Sequence, residues 1–500
     1  MVVEQWLGAP ARSYARRPAT VVDVLDRAVR LFGDRPGWRE GSAWLTWAEF
    51  GARVEQAADA LRRRGLQPGD AVAVASGNTL DLAVLLLACA RAELVMVGLN
   101  TRLAPPQWAY MVEHMQVRLR LASAPFLAGL AEALPLEQVL REVPERPWEV
   151  GPSGLAPESA YAVVFTSGTT GRPKASLVVH RASVHSGMSY QRVLELGPED
   201  VTAVLFPMYY ISAMHAHVLP AMLAGARIVL VDSQSPREYV DLLRAEAVTW
   251  AYAVPSWWRL ALRAGLADLP ALSRLAAGGA PFPRDLQAAL RAALPGVRLH
   301  DVYGLSETHS PGCILQDAEF AEHGSTVGRP LDCLEAQVRD DDGTPLPAGQ
   351  AGELWLRGSL VTTGYAGDPQ ATAEAIVEGW FDTGDIARIC EHGFVSILDR
   401  SKDMINRGGT KIFSAELEEL LRAHPAVEDA AVVGIPDPLG GEAIAAYLVT
   451  AGPLAASEIR AWVRENMADY AVPKVVTLVE ALPRNAVGKT DKQALRALHA

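Results

Sequence analysis

Tyr161-Ala162-Val163-Val164-Phe165-Thr166-Ser167-Gly168-Thr169-Thr170-Gly171-Arg172-Pro173-Lys174 runs from an apolar strand straight into a loop of glycines and hydroxyls. Tyr161–Phe165 has the aromatic and β-branched content of a buried strand. The loop that follows is chemically a phosphate cradle. Gly168 and Gly171 let the backbone approach closely, and the hydroxyls of Thr166, Ser167, Thr169 and Thr170 join exposed N–H groups as donors. Lys174 adds a point charge. It is not the common nucleotide loop, because the lysine follows Gly171-Arg172-Pro173 and Ala175, not Ser or Thr, comes next. A flexible surface turn would have a similar composition, but would not need this order of residues directly after a strand.

Working outward, short apolar runs alternate with longer amphipathic ones. Strands are predicted at Ala71–Ala75, Leu94–Gly98, Ala203–Phe206, Arg227–Val231, Val248–Ala253, Leu275–Ala277 and Val297–Val302. Helices are predicted at Asp81–Ala90, Pro236–Glu246 and Arg284–Leu294. This alternation implies an α/β fold with parallel-type sheets flanked by helices. Ligands of such sheets bind beyond the carboxyl ends of the strands, so chemistry is expected in the loops after Phe165, Phe206, Ala277 and Val302. From about Gly324 the texture changes to short strands (Glu335–Arg339, Gly352–Arg357, Gly393–Leu398) separated by turns such as Asp340-Asp341-Asp342-Gly343. That predicts a small β-barrel-like unit over about 324–399. Beyond Arg400 a Gly-rich turn, the helices Ala415–Ala423 and Ala456–Asn466 and the strand Ala430–Val433 predict a separate α+β domain. The expected division is therefore 1–399 and 400–500.

The 500 residues carry a net charge of −12, and 50% of them are hydrophobic. A general nucleic-acid or anionic-membrane surface needs a basic excess, so neither is expected as a partner. Cys89, Cys313, Cys333 and Cys390 have no paired spacing, which argues against a disulfide framework or zinc site and for a reducing compartment. The beginning of the chain has no basic-then-apolar signal, and the apolar run Leu82–Ala90 is too short to cross a bilayer. A cytoplasmic location is expected.

Five further segments accompany the cradle: Val302-Tyr303-Gly304-Leu305-Ser306-Glu307, Gly379-Trp380-Phe381-Asp382-Thr383-Gly384-Asp385, Asp399-Arg400-Ser401-Lys402-Asp403, Asn406-Arg407-Gly408-Gly409-Thr410-Lys411-Ile412 and Pro483-Arg484-Asn485-Ala486-Val487-Gly488-Lys489. In this order and spacing, over roughly residues 20–495, the chain resembles the adenylate-forming superfamily: acyl-CoA synthetases, nonribosomal peptide adenylation domains and firefly luciferase. The resemblance implies activation of a carboxylic acid with Mg·ATP to an acyl-adenylate, then transfer to coenzyme A. Transfer to a separate carrier protein is the alternative acceptor. It also implies a mobile C-terminal lid that rotates about a hinge near 400–403, with Lys402 as pivot.

The implied roles make physical sense one by one. Asp385 is suited to accept hydrogen bonds from both ribose hydroxyls, with Arg400 nearby. Tyr303 can stack on adenine, while Asp301 or the backbone of Gly279-Ala280-Pro281 reads its edge. Val302 and Gly304 frame this segment. Glu307 would hold Mg²⁺ against the phosphates, since magnesium takes one or two carboxylates plus phosphate oxygens. Ser306 stands where threonine is more usual and keeps a hydroxyl for the α-phosphate. Lys489 would lie between carboxylate and α-phosphate. One such contact at about 4 Å and an effective dielectric near 20 amounts to roughly 4 kcal/mol of Coulomb energy. Gly408 and Gly409 would line the pantetheine tunnel, although a simple turn also accounts for them.

The acid is less legible. Tyr210 occupies the position of an aspartate that pairs with the ammonium group in amino-acid adenylation domains, so an α-amino acid is not expected. Many acyl- and aryl-CoA synthetases have histidine there instead. Tyr209, Tyr210, Met214, Ser256 and His309 are candidates for the pocket wall, and His215 and His309 for a general base, against the commoner fate of a histidine packed in the core. Aromatic and methionine side chains suggest an aliphatic or aromatic monocarboxylate. Ala175 and Ser414 depart from the usual glycine and proline of the family. A homodimer is left open.

Overall fold

The computed structural model describes residues 1–141, 155–166, 173–231, 235–407, 410–437, 441–484 and 490–498. By contact the chain divides into two compact units. One comprises Met1–Ala336, Trp355–Phe381 and Gly393–Val395, and the other Gln337–Leu354, Asp382–His392 and Ser396–Ala500.

Two sheets dominate the first unit. A six-stranded sheet runs Lys174–Val179, Ala160–Thr166, Val95–Gly98, Ala71–Ala75, Leu119–Ala122 and Leu134–Pro135. Every pairing in it is parallel except the first. A nine-stranded sheet has a parallel centre in the order Arg298–Tyr303, Arg274–Gly278, Trp250–Ala253, Val201–Val204, Arg227–Leu230 and Pro36–Glu40. Antiparallel strands close both of its ends, Cys313–Leu315 with Arg329–Pro330 at one and Ala43–Thr46 at the other.

The strands are those their composition calls for. Ala71–Ala75 is Ala-Val-Ala-Val-Ala and is buried at every position, as a strand covered on both faces must be. The helix Leu80–Arg91 buries ten of its 12 residues, so it sits inside the core rather than on it. Thr79 caps it by accepting the Leu82 N–H at 3.2 Å. It ends at Arg91, whose guanidinium is paired with the buried Asp26. Thr20 and Thr46 begin the helices Val21–Phe32 and Trp47–Arg63 with reciprocal capping boxes to Asp23 and Glu49.

A five-stranded sheet corresponds to the expected β-rich region, in the order Leu334–Arg339, Ala351–Gly358, Trp380–Ile389 and Ile376–Val377, with Val395–Arg400 also paired to Trp380–Ile389.

The C-terminal part of the second unit shows strand alternation cleanly. Val427–Asp437 and Gly441–Thr450 pair antiparallel, and Val475–Leu478 joins the latter in parallel. Ala430, Val432, Ile444, Ala446 and Leu448 face one core with Leu417, Leu421, Ile459 and Val463. The residues between them, Ala431, Val433, Ala443, Ala445 and Tyr447, face a second core with Leu482 and Leu495. A period of two on a sheet buried on both sides produces this split.

Candidate active site

The cradle joins an antiparallel pair of strands. Ala160–Thr166 and Lys174–Val179 pair with Thr166 directly opposite Lys174. The two ends of the loop are therefore fixed side by side. Ser167, Gly168, Thr169, Thr170 and Gly171 lie outside the described residues.

Opposite these ends stands Glu307, in the short 3-10 turn Ser306–Thr308 that follows the strand Arg298–Tyr303. The turn is tight. A Cβ on Gly304 would lie 1.5 Å from the Ser310 carbonyl oxygen, so only glycine fits. Glu307 is 7% exposed, and its Oε1 accepts hydrogen bonds from Thr166 Oγ1 (3.3 Å) and from Tyr365 Oη (3.1 Å). Its carbonyl accepts the Thr362 N–H at 2.7 Å. Lys174 Nζ lies over the Tyr365 ring, 5.1 Å from the centroid. Thr166, Lys174 and Glu307 are thus brought together as the sequence suggested, and Tyr365, which the motifs did not reveal, connects them. Its signal was the short Thr362-Thr363-Gly364-Tyr365 stretch, which by itself reads as a loop.

Magnesium fits this donor set. Oε2 of Glu307 has no hydrogen-bonding partner among the described residues, and among them no cluster of three His, Cys, Asp or Glu side chains could enclose a metal. A single carboxylate completed by phosphate oxygens and water is the usual magnesium arrangement.

The adenine candidates gather at the carboxyl ends of two neighbouring parallel strands, where Gly278 lies opposite Val302. Gly279, Ala280 and Pro281 are exposed just beyond the first, while Tyr303 is half-buried at the end of the second. Asp301 is buried among them, and burial pushes its carboxyl up to about 8, partly offset by a bond from the Val302 N–H. At neutral pH it is mostly protonated, so it can donate as well as accept. Ser306 is half-buried at the start of the Glu307 turn.

In the second unit Asp385 is 2% exposed, and Arg400 Nε approaches its Oδ1 at 2.8 Å. Arg400 also donates to the Thr383 carbonyl at 3.3 Å. Lys402 is exposed on the 3-10 turn Ser401–Asp403, and its carbonyl accepts from Arg496 at 3.2 Å. Lys489, Gly408 and Gly409 lie outside the described residues.

The five pocket candidates differ in burial and partners. Tyr209 and Tyr210 meet edge to face at 4.7 Å, and Tyr210 Oη accepts from Asn100 Nδ2 at 2.9 Å. Met214 lines an apolar crevice with Ala83, Leu86, Met208 and Val218. Ser256 is exposed at the start of the helix Pro255–Arg263. His309 is fully buried: its Nε2 accepts from the Val179 N–H (3.0 Å) and its Nδ1 donates to the Leu360 carbonyl (2.9 Å). Both nitrogens are used, and burial holds the ring well below the usual histidine range. His309 therefore pins the turn that carries Glu307 and has no nitrogen left for a pocket or a proton transfer. His215 is likewise spent on Ile211 O and Ser183 Oγ, and burial lowers it to about 4. Aromatic rings the sequence did not single out, Phe206 and Tyr252 (4.9 Å between centroids), lie at the ends of Val201–Val204 and Trp250–Ala253.

The model of the AMP-binding enzyme family matches residues 25–366, and that of the AMP-binding enzyme C-terminal domain matches residues 416–489. A feruloyl-CoA synthase of an Amycolatopsis species is 33% identical over 94% of this chain and 97% of its own length. A 2-succinylbenzoate–CoA ligase of Bacillus licheniformis is 30% identical over 94% and 98%. Among solved structures, the o-succinylbenzoate CoA synthetase of Bacillus subtilis with its acyl-adenylate superposes with a TM-score of 0.87 at 26% identity, covering 95% of this chain and 97% of that one. The same synthetase has been solved with ATP and a magnesium ion.

Proposed function

The chain belongs to the AMP-binding enzyme family, and we propose that it is an AMP-forming carboxylate–CoA ligase acting on an aromatic or aliphatic monocarboxylic acid. The observation that carries this reading is the Glu307 carboxylate, held at one oxygen by Thr166 and Tyr365 beside the Lys174 cation. The names of its relatives, feruloyl-CoA synthase and 2-succinylbenzoate–CoA ligase, favour an aromatic acid and CoA as acceptor.

In the first step a carboxylate oxygen forms a bond to the α-phosphorus of ATP as the bond to pyrophosphate breaks. In the second the thiol of CoA attacks the acyl carbon, AMP leaves and a proton is released. Neither step requires the protein to donate an electron pair. Its work is positioning and charge neutralisation. Glu307 would hold magnesium through Oε2, which supplies positive charge to the phosphates. Thr166, Ser167, Thr169, Thr170, Lys174 and Ser306 would hold the phosphates themselves. Asp385 and Arg400 would take the ribose, and Tyr303, Asp301 and the 279–281 backbone the adenine. We assign Lys489 to the meeting of carboxylate and α-phosphate, Lys402 to the hinge, and Gly408 and Gly409 to the pantetheine chain. The functional boundary we propose is that hinge, at about 400–403. A free thiol substrate and four unpaired cysteines support a cytoplasmic setting.

The test is pyrophosphate release over a panel of aryl, fatty and dicarboxylic acids, followed by thioester detection with free CoA and with carrier proteins. Acid-dependent release together with acyl-CoA supports the reading. Thioester on a carrier protein alone would move the acceptor to that protein, and no release with any acid would remove the activity altogether.

A further inference from the structure

Resting on that reading, we propose that Tyr365 is a positioning residue for the metal-bearing carboxylate, fixing which oxygen of Glu307 meets the metal and how far that oxygen lies from Lys174. Three features of the fold carry this.

The first is that the backbone of Tyr365 cannot drift. Residues 364–366 add a short antiparallel rung to the strand Lys174–Val179: the Leu177 N–H donates to Gly364 O at 3.0 Å, and the Ala366 N–H to Ala175 O at 2.8 Å. Tyr365 therefore stands opposite Ser176. Its own N–H is fixed by Thr372 Oγ1 at 2.9 Å. Gly364 has φ +135°, and a Cβ there would meet the Thr372 methyl at 2.4 Å, so the approach demands glycine.

The second is that one ring serves two charges. The hydroxyl donates to Glu307 Oε1 at 3.1 Å, while the face lies beneath Lys174 Nζ at 5.1 Å. Because Lys174 and Tyr365 are held on the same sheet edge, the spacing between cation and carboxylate is set by a single rigid side chain.

The third is that the two donors to Glu307, Tyr365 Oη and Thr166 Oγ1, share Oε1 and leave Oε2 without a partner among the described residues. A carboxylate loaded on one oxygen presents the other in a fixed direction. Partners of this kind behind a metal ligand are worth about 10- to 100-fold in metal affinity or activity.

The experiment uses the full chain, with Mn²⁺ as probe and α,β-methylene ATP as a nucleotide that cannot release pyrophosphate. Mn²⁺ binding is read by electron paramagnetic resonance, and nucleotide binding without metal by calorimetry. Tyr365→Phe keeps the ring and removes the hydroxyl. It should weaken Mn²⁺ binding about 10-fold while leaving metal-free nucleotide affinity within about 2-fold. Glu307→Gln should abolish this sensitivity, so that adding Tyr365→Phe to it changes Mn²⁺ binding no further. Tyr365→Leu, which also strips the ring from Lys174, should weaken nucleotide binding even without metal.

If the wild type binds Mn²⁺·nucleotide and Tyr365→Phe binds it equally well, the proposal is wrong and the ligase reading survives. A loss in Tyr365→Phe that is as large without metal as with it also overturns the proposal, since it would reflect packing alone. If the wild type binds no Mn²⁺·nucleotide, the ligase reading and this inference fall together.

Discussion

On the role we propose for Lys489, its replacement with alanine removes one positive charge from a reaction in which two anions must meet. Preorganised charge of this kind is commonly worth 10²- to 10³-fold in rate, so pyrophosphate release should fall by about that factor. The melting temperature should stay unchanged, and so should transfer of a preformed acyl-adenylate to CoA. Equal loss in both half-reactions would show that the lysine does something more general. Asp301 makes a different prediction. Burial lifts its carboxyl from an ordinary value near 4 to about 8. Between those values the folded chain keeps a proton that the unfolded chain has given up. Its contribution to stability is therefore full below pH 4 and is lost as pH rises through 8. Asp301→Asn cannot lose that proton. The melting temperatures of wild type and variant should diverge as pH climbs from 5 to 8, with the wild type falling relative to the variant. Parallel curves would mean that the carboxylate is solvated after all.

At the scale of elements, the short helix Lys492–Ala497 is a clasp. Asp491 caps it by accepting the Ala494 N–H, and Lys492 and Arg496, one turn apart, reach different targets. Lys492 meets Glu418 at 2.8 Å and the Ser414 hydroxyl at 2.7 Å, while Arg496 meets Asp403 at 2.7 Å and the Lys402 carbonyl. Ser414 in turn donates its N–H and hydroxyl to the buried Asp399. A proline at 414 could give neither bond, so the departure from the family pattern has a use. Burial raises Asp399, and Lys492 is the foremost group opposing that rise. Lys492→Met should therefore destabilise this region by about 2 kcal/mol, since the buried Asp399 loses the cation that opposes its desolvation while Glu418 keeps Arg422 and the Val432 N–H. Hydrogen exchange at residues 399–405 is the readout, and unchanged protection would refute the clasp. Such contacts explain how far the sequence could be read. Strands such as Ala160–Thr166 and Val427–Asp437 announce themselves by composition, and Asp385 with Arg400 by motif. The pairing of Tyr365 onto the Lys174 strand, the antiparallel end of the nine-stranded sheet at Cys313–Leu315 and the use of His309 as a pin all depend on partners more than a hundred residues away or on rungs of only two or three residues. No local pattern encodes those. The burial of the pocket candidates was illegible for the same reason: Met214 is buried and Ser256 exposed through tertiary packing, not through their neighbours in sequence.

At the scale of the molecule, the largest described clusters each lie within one unit. Trp38, Trp47, Phe50 and the helix Leu80–Arg91 anchor a cluster drawn wholly from the first unit, whereas the two clusters on either face of Val427–Asp437 come wholly from the second. Cooperative unfolding follows shared core, so clusters of this size confined to one unit each should not all melt in one step. Calorimetry should resolve two transitions. Lys492→Met should lower only the one belonging to the C-terminal cores, whereas the pH dependence assigned to Asp301 should move only the other. The lid we propose beyond the hinge at 400–403 gains from clusters of its own, because its internal order is then supplied by its own packing in whichever state it occupies. A single transition, with calorimetric and van't Hoff enthalpies equal and shifted alike by both variants, would mean that the two units stand or fall together.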